Sequence, residues 1–290
     1  MLRSEDHAAT SPNSRWLVST AWLADHLPDR DVIAVDASYP LPAQPRDVRA
    51  EYREGHIPGA VFFDIDAVSD DSSELPHMLP GPTHFGRAVG ALGIGDGDTV
   101  VVYDSAGLYS AARVWWTFRI FGAKKVFVLD GGLPKWKAEG RPLETGDAQR
   151  QARQFTANMN VGAVATLDDV RMAQTDDSAQ IVDARSAERF AGTAPEPRPG
   201  LRSGHIPRSF NLPYGRLVVA GRLAPPARIE TAFRDAGIDL DKPIITTCGS
   251  GLSAAILMLA LESVGRKPKG LYDGSWSEWG ARPDLPVERG

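Results

Sequence analysis

At 290 residues the chain exceeds one small domain and suits two. Hydrophobic residues at 42% and charged residues at 24% are the balance of a folded protein, which excludes a disordered or collagen-like chain. A net charge of −5 excludes the basic field that nucleic acid or an anionic membrane demands, and no run approaches the roughly 20 apolar residues of a membrane span.

Residues 1–15, MLRSEDHAATSPNSR, lack the apolar core of a secretory signal, so a cytoplasmic location is expected. Next, WLVSTAWLADHL (16–27) has apolar residues three and four apart behind a Ser/Thr cap and predicts a helix. VIAVDA (32–37) is a short apolar run ending in Asp, as a buried strand delivering an acid to a loop. GHIPGA follows at 55–60, and GIGDGDTVVVY at 93–103 ends in a second strand. YSAARVWWTFRIFG (109–122) is long enough for a crossover helix ending at Gly122, before the strand in KKVFVLD (124–130). DGGLPKW (130–136) and GRPLE (140–144) close this half, and the polar stretch 147–160 reads as a linker.

The same landmarks then return in the same order, at offsets of 143 to 149 residues. TLDDVRMA (166–173) is a capped helix, IVDA (181–184) a strand, and GHIPRS (204–209) echoes GHIPGA. GIDLDKPIITT (237–247) repeats 93–103, SAAILMLALESVG (253–265) repeats the crossover helix, and DGSWSEW (273–279) with ARPDLPVE repeats 130–144. Strands alternating with helices require parallel pairing, so the fold class is α/β: two tandem domains, each a mainly parallel sheet flanked by helices. The boundaries expected are 15–146, a linker at 147–160, and 161–290.

Cys248 is the one cysteine, which excludes an internal disulfide; with six histidines and no CxxC or HExxH, neither a metal site nor a cofactor is expected. A lone cysteine is most often a small buried hydrophobe. Here, however, the strand ending at Thr247 runs directly into Cys-Gly-Ser-Gly-Leu-Ser (248–253) and a helix. Such a turn gathers backbone N–H groups at the positive end of the helix dipole, where a thiol is favoured as thiolate. Gly249 and Gly251 permit the angles of a tight cradle. The first half has Asp104 where Cys248 stands, so that copy lacks a nucleophile and reads as scaffold and as one wall of the site. A cysteine phosphatase needs Arg where this loop leads into Ala254, which disfavours that chemistry.

Tandem GHIP motifs, an inert first copy and a six-residue cysteine loop together resemble the two-domain rhodanese family over about residues 15–288. FFDID (62–66), HMLPG (77–81), PEPRPG (195–200) and DGSWSEW strengthen the likeness. Within the family, CGSGLS is similar to the loop of the mercaptopyruvate-using branch, whereas thiosulfate-using members carry basic residues where this chain has Gly249 and Ser250. The resemblance implies an enzyme that takes sulfur from 3-mercaptopyruvate onto Cys248 as a persulfide, releases pyruvate, and passes sulfur to a small thiol, thioredoxin or cyanide. It further implies that Arg189 and Arg198 hold the keto acid, a task suited to a planar guanidinium fork. Ser250, His77 and Asp66 are implied as a catalytic Ser-His-Asp group, with Gly249, Gly251, Leu252, Ser253 and Tyr109 around the substrate.

Asp64 shares the strand-alternation face of Asp66 and is open to confusion with it. His56 and His205 occupy the same slot in both copies, including the one without a nucleophile, and are read as structural. Asp36 and Asp183 follow the same logic, and the tryptophans Trp115, Trp116, Trp136, Trp276 and Trp279 are expected in packing roles. The alternatives are a thiosulfate:cyanide sulfurtransferase using the same cysteine, and a non-catalytic tandem module that binds a partner protein.

Overall fold

The computed structural model describes residues 10–11, 14–40 and 46–290. It contains two compact units: Met1–Val68, Pro80–Met159 and Ala220–Leu223 form one, and Ser69–Leu79, Asn160–Val219 and Ala224–Gly290 form the other.

In the first unit the elements run β1 (Thr10–Ser11), β2 (Ser14–Val18), α1 (Thr20–His26), β3 (Val32–Asp36), α2 (Val48–Glu54), β4 (Val61–Phe62), α3 (Ile65–Val68), α4 (Pro82–Ala91), β5 (Thr99–Tyr103), α5 (Ala111–Ile120), β6 (Lys125–Leu129) and α6 (Gly132–Ala138). Its sheet order is β1-β2-β6-β5-β3-β4, parallel except for the β1–β2 pair. Strands β3 and β5 are buried at every residue, as expected of central parallel strands covered on both faces. Ser19 caps α1 by accepting from the Trp22 amide. Gly122 ends the crossover helix with a left-handed φ of +94°.

The second unit runs β7 (Val164–Ala165), α7 (Leu167–Asp176), β8 (Gln180–Asp183), α8 (Ala187–Ala191), β9 (Phe210–Asn211), β10 (Val218–Val219), α9 (Pro226–Asp235), β11 (Ile244–Thr247), α10 (Ala254–Ser263), β12 (Gly270–Tyr272) and α11 (Ser275–Trp279). Its main sheet, ordered β7-β12-β11-β8-β9, is parallel throughout. That order matches β2-β6-β5-β3-β4 strand for strand, so the sequence repeat is a repeat of topology. Thr166 and Asp169 form a capping box on α7.

The two copies also close alike. His56 and Glu144 exchange backbone hydrogen bonds of 3.0 and 2.9 Å, and His205 and Glu288 exchange bonds of 2.9 and 3.0 Å. Each GHIP histidine is thus the point at which the tail of its own copy is stitched back. His56 stacks on Tyr52 and its Nδ1 lies 2.8 Å from the Tyr52 carbonyl; His205 stacks on Phe190 with Nδ1 2.9 Å from that carbonyl. Beyond Glu288, the Gly290 amide donates to the Ala191 carbonyl at 3.1 Å.

Two features of the division are not visible in the repeat. Residues 147–159 stay with the first unit, because their backbone is consumed by it: Arg153 donates to Gly90, Gln154 accepts from Asp96, and Asn158 donates to Phe121. A Cβ on Gly90 would lie 2.4 Å from the Arg153 carbonyl, so only glycine admits this approach. The short stretches Ser69–Leu79 and Ala220–Leu223 each join the unit opposite to the surrounding chain. No helix among the described residues is long and apolar enough to cross a membrane.

Candidate active site

Strand β11 sits between β12 and β8, and its last residue delivers the chain to Cys248 at the carboxyl edge of the sheet. The loop 248–253 then turns into α10, with Gly251 at φ +80° making the turn. Cys248 is only 2% exposed. Its carbonyl accepts from the Trp276 amide at 3.0 Å, and the Gly249 carbonyl accepts from the Ser277 amide (2.9 Å) and hydroxyl (2.7 Å). The Cys248 amide donates to Ser275 Oγ at 3.3 Å, while Ser275 Oγ donates to the Tyr272 carbonyl at 2.8 Å. The first turn of α11 therefore clamps the loop from below.

Ser275 holds φ at +50°, a left-handed conformation unusual for a residue with a Cβ. The matching residue of the first unit is Gly132, at φ +54°. There the Leu133 amide donates to the Asp104 carbonyl at 3.1 Å, just as Trp276 donates to Cys248. The inert loop shows what such a cradle binds. The Asp104 carboxylate accepts backbone N–H groups from Ala106 (2.9 Å), Tyr109 (2.7 Å) and Ala111 (2.8 Å). Burial pushes its carboxyl up, and the converging amides pull the other way.

His77 reaches the loop from the excursion Ser69–Leu79. It is buried, has a left-handed φ of +60°, and sets Nδ1 3.1 Å from Ser250 Oγ and 3.3 Å from the Ser250 carbonyl. The excursion is held by Asp273, whose buried carboxylate accepts the Leu79 amide at 2.7 Å. Serine and histidine of the expected group thus meet. Asp66 belongs to the first unit, in the exposed first turn of α3, where it accepts from the Tyr39 hydroxyl at 3.2 Å. Tyr109, also of the first unit, is buried. One expectation is corrected: 62–66 is not extended throughout, because the helix α3 starts at Ile65. Asp64 caps that helix by accepting the Ala67 amide at 3.1 Å, so it does not share a strand face with Asp66.

Arg189 rides on α8, whose N-cap Ser186 accepts its amide. Its Nε and Nη2 donate to the Glu196 carboxylate at 3.2 and 2.5 Å. Its guanidinium lies against the loop: a Cβ built on Gly249 would fall 2.9 Å from Arg189 Nη2. Glu196 also accepts from Arg185 Nη1 at 2.8 Å. Arg185 is fully buried, paired with Asp183, bonded to the Gly204 carbonyl, and stacked 4.3 Å over the Trp276 ring. Burial disfavours its charge, yet Asp183 and Glu196 outweigh that and raise its pKa. Arg198 is half-buried, and its guanidinium has no carboxylate partner among the described residues. Leu252 and Ser253 are buried where the loop enters α10.

Sequence reasoning missed Glu196, Arg185, Asp273 and Ser275. The one available signal was Ser275 standing where the first copy has glycine.

The rhodanese-like domain profile matches residues 19–139 and again 166–282. The chain belongs to the rhodanese-like family. Among curated relatives, it is 47% identical over 277 residues to the 3-mercaptopyruvate sulfurtransferase of Escherichia coli K12, covering 95% of this chain and 99% of that one. The human 3-mercaptopyruvate sulfurtransferase is 42% identical over 285 residues, covering 95% and 96%. Among solved structures, the rhodanese-fold crystal structure of SseA from Escherichia coli, a 3-mercaptopyruvate sulfurtransferase, aligns with a TM-score of 0.84 at 44% identity, covering 90% and 98%. Both units of this chain therefore carry the rhodanese fold, one with a cysteine in its loop and one with an aspartate.

Proposed function

We propose that this chain takes sulfur from 3-mercaptopyruvate, holds it as a Cys248 persulfide, and hands it to a thiol. The sulfurtransferase class and this donor accord with relatives of that name matched over 95% of the chain. The residue roles rest on one observation: an arginine fork and a serine–histidine pair converge on a neutral loop that begins with a buried cysteine.

The Cys248 thiolate attacks the sulfur of the donor thiol. An S–S bond forms, the C–S bond breaks, and its electron pair leaves as the enolate of pyruvate, delocalised into the adjacent carbonyl. The proton displaced from the donor sulfur ends on the methyl carbon, and this reading gives the Ser250–His77 pair, 3.1 Å apart, the task of carrying it. Arg189 and Arg198 orient the planar carboxylate and keto oxygens, with Gly249, Gly251, Leu252 and Ser253 shaping the bed. In the second half-reaction an acceptor thiol attacks the outer sulfur and the Cys248 thiolate leaves. The acceptor is a small thiol or thioredoxin, with cyanide serving in an assay. This is covalent catalysis in two half-reactions.

Asp66 and Tyr109, both in the first unit, enter this reading only as residues that the family likeness implies. The functional division is proposed as a scaffold within 15–146 and a catalyst within 161–290, with 147–159 packed into the first unit and Ser69–Leu79 contributed to the second. A cytoplasmic location suits an unpaired catalytic thiol. Thiosulfate is the second donor to test, and the absence of a basic side chain at Gly249 or Ser250 weighs against it.

The decisive experiment is intact mass spectrometry after brief exposure to each donor, with pyruvate scored alongside. One added sulfur with stoichiometric pyruvate, faster from 3-mercaptopyruvate and absent in Cys248→Ser, is the expected result. Loading mainly from thiosulfate would overturn the donor, and loading from neither would favour a partner-binding module.

A further inference from the structure

The most unusual group near the loop is one that makes no contact with the nucleophile. Glu196 has a side chain only 1% exposed, yet it is an ionisable group shared by two arginines. One partner, Arg185, is itself buried and already paired with Asp183, so it does not need Glu196 for neutrality. The other, Arg189, is 23% exposed and rests against Gly249. A free arginine side chain samples many rotamers, and ordering it for a ligand is costly. The two-pronged grip of Glu196 removes that freedom in advance.

The grip is itself anchored at its far end. Arg185 is held by Asp183 at the end of β8, by the Gly204 carbonyl, and by the face of Trp276. Trp276 in turn donates its amide to the Cys248 carbonyl. A continuous chain of contacts thus runs Arg189, Glu196, Arg185, Trp276, Cys248, and it fixes the fork relative to the residue that carries sulfur.

We infer that Glu196 is a positioning residue that holds the Arg189 guanidinium over Gly249 in the orientation needed for the substrate carboxylate. This rests on the reading of Arg189 as a substrate ligand. Glu196 engages Nε and Nη2, the second being the nitrogen nearest Gly249, and leaves Nη1 for the keto acid.

The test is a cycle of Glu196→Gln, Arg189→Ala and the double variant, with KM and kcat for 3-mercaptopyruvate read from pyruvate release. Glu196→Gln is expected to raise KM roughly tenfold while kcat holds within about twofold, as loss of binding common to ground and transition states does. In the Arg189→Ala background the same change should add almost nothing, because its effect passes through that arginine. A KM raised by Arg189→Ala but untouched by Glu196→Gln overturns the inference alone. A KM untouched by Arg189→Ala removes the reading of Arg189 and this inference with it. An additive loss in the double variant shows that Glu196 serves the fold and also overturns the proposal. Should Glu196→Gln fail to fold, Glu196→Asp keeps the buried charge but cannot span both arginines, and the same rise in KM is expected.

Discussion

Replacing Gly249 by alanine tests the site with a single methyl group. Gly249 is not among the residues with left-handed φ, so alanine brings no backbone strain. The new Cβ falls 2.9 Å from Arg189 Nη2, whereas ordinary contact begins near 3.4 Å, so the guanidinium must retreat by about half an ångström. It cannot retreat freely, since Nε and Nη2 are both engaged by Glu196. Losing one prong of such a charged contact is worth about 1.5 kcal/mol, which corresponds to roughly a tenfold fall in kcat/KM for 3-mercaptopyruvate. The loss should appear in steady-state pyruvate release, with a melting temperature within about 2 °C of the parent, because the moving group is the end of a partly exposed side chain. A kcat/KM within twofold of the parent would refute the link between the missing Cβ and the arginine. A large fall in melting temperature would mean that the methyl group disturbs the loop instead.

In the first unit, Asp104→Ala would leave the three amides of Ala106, Tyr109 and Ala111 without their acceptor. Buried orphaned donors cost about 1–3 kcal/mol each, partly relieved by water, so chemical denaturation should show a destabilisation of about 3 kcal/mol; an unchanged transition would refute the caging of Asp104. Elsewhere in that unit Glu139 accepts from Lys135, Arg141 and Thr20, and these partners, Lys135 foremost, draw its carboxyl down to about 2. A depressed acid stabilises the fold above its ordinary value of 4.5 and loses that contribution as pH falls toward 2. Because the carboxylate is a third exposed, solvent screening leaves about 1 kcal/mol. Glu139→Gln should therefore lower stability at pH 7, with the gap to the parent closing between pH 4.5 and 2; a gap independent of pH would refute it.

Much of this architecture can be read from the chain because it is written twice. The repeated VDA, GHIP and DG landmarks locate equivalent strands and turns, and the apolar runs 32–36, 99–103 and 244–247 are strands buried at every residue. The cysteine loop was legible for the same reason, since Asp104 supplies its contrast. What escaped were contacts with no local period. Residues 69–79 form a polar excursion without helical or strand spacing, so nothing in them announces that His77 and Leu79 dock on Ser250 and Asp273, some 170 to 190 positions away. Glu196 lies seven residues beyond Arg189, outside the five-residue helix α8, and only the fold brings them together. Asp64 was misread because a strand of two residues gives way to a helical turn within one short motif.

The stitch between Glu288 and His205, continued by the bond from Gly290 to the Ala191 carbonyl, bears on how the protein is handled. Ala191 is the last residue of the helix that carries Arg189. A peptide fused after Gly290 would pull directly on the short helix that carries Arg189, much as a cord tied to a hinge pin loads the hinge. A purification handle placed there therefore bears on any measurement of donor affinity.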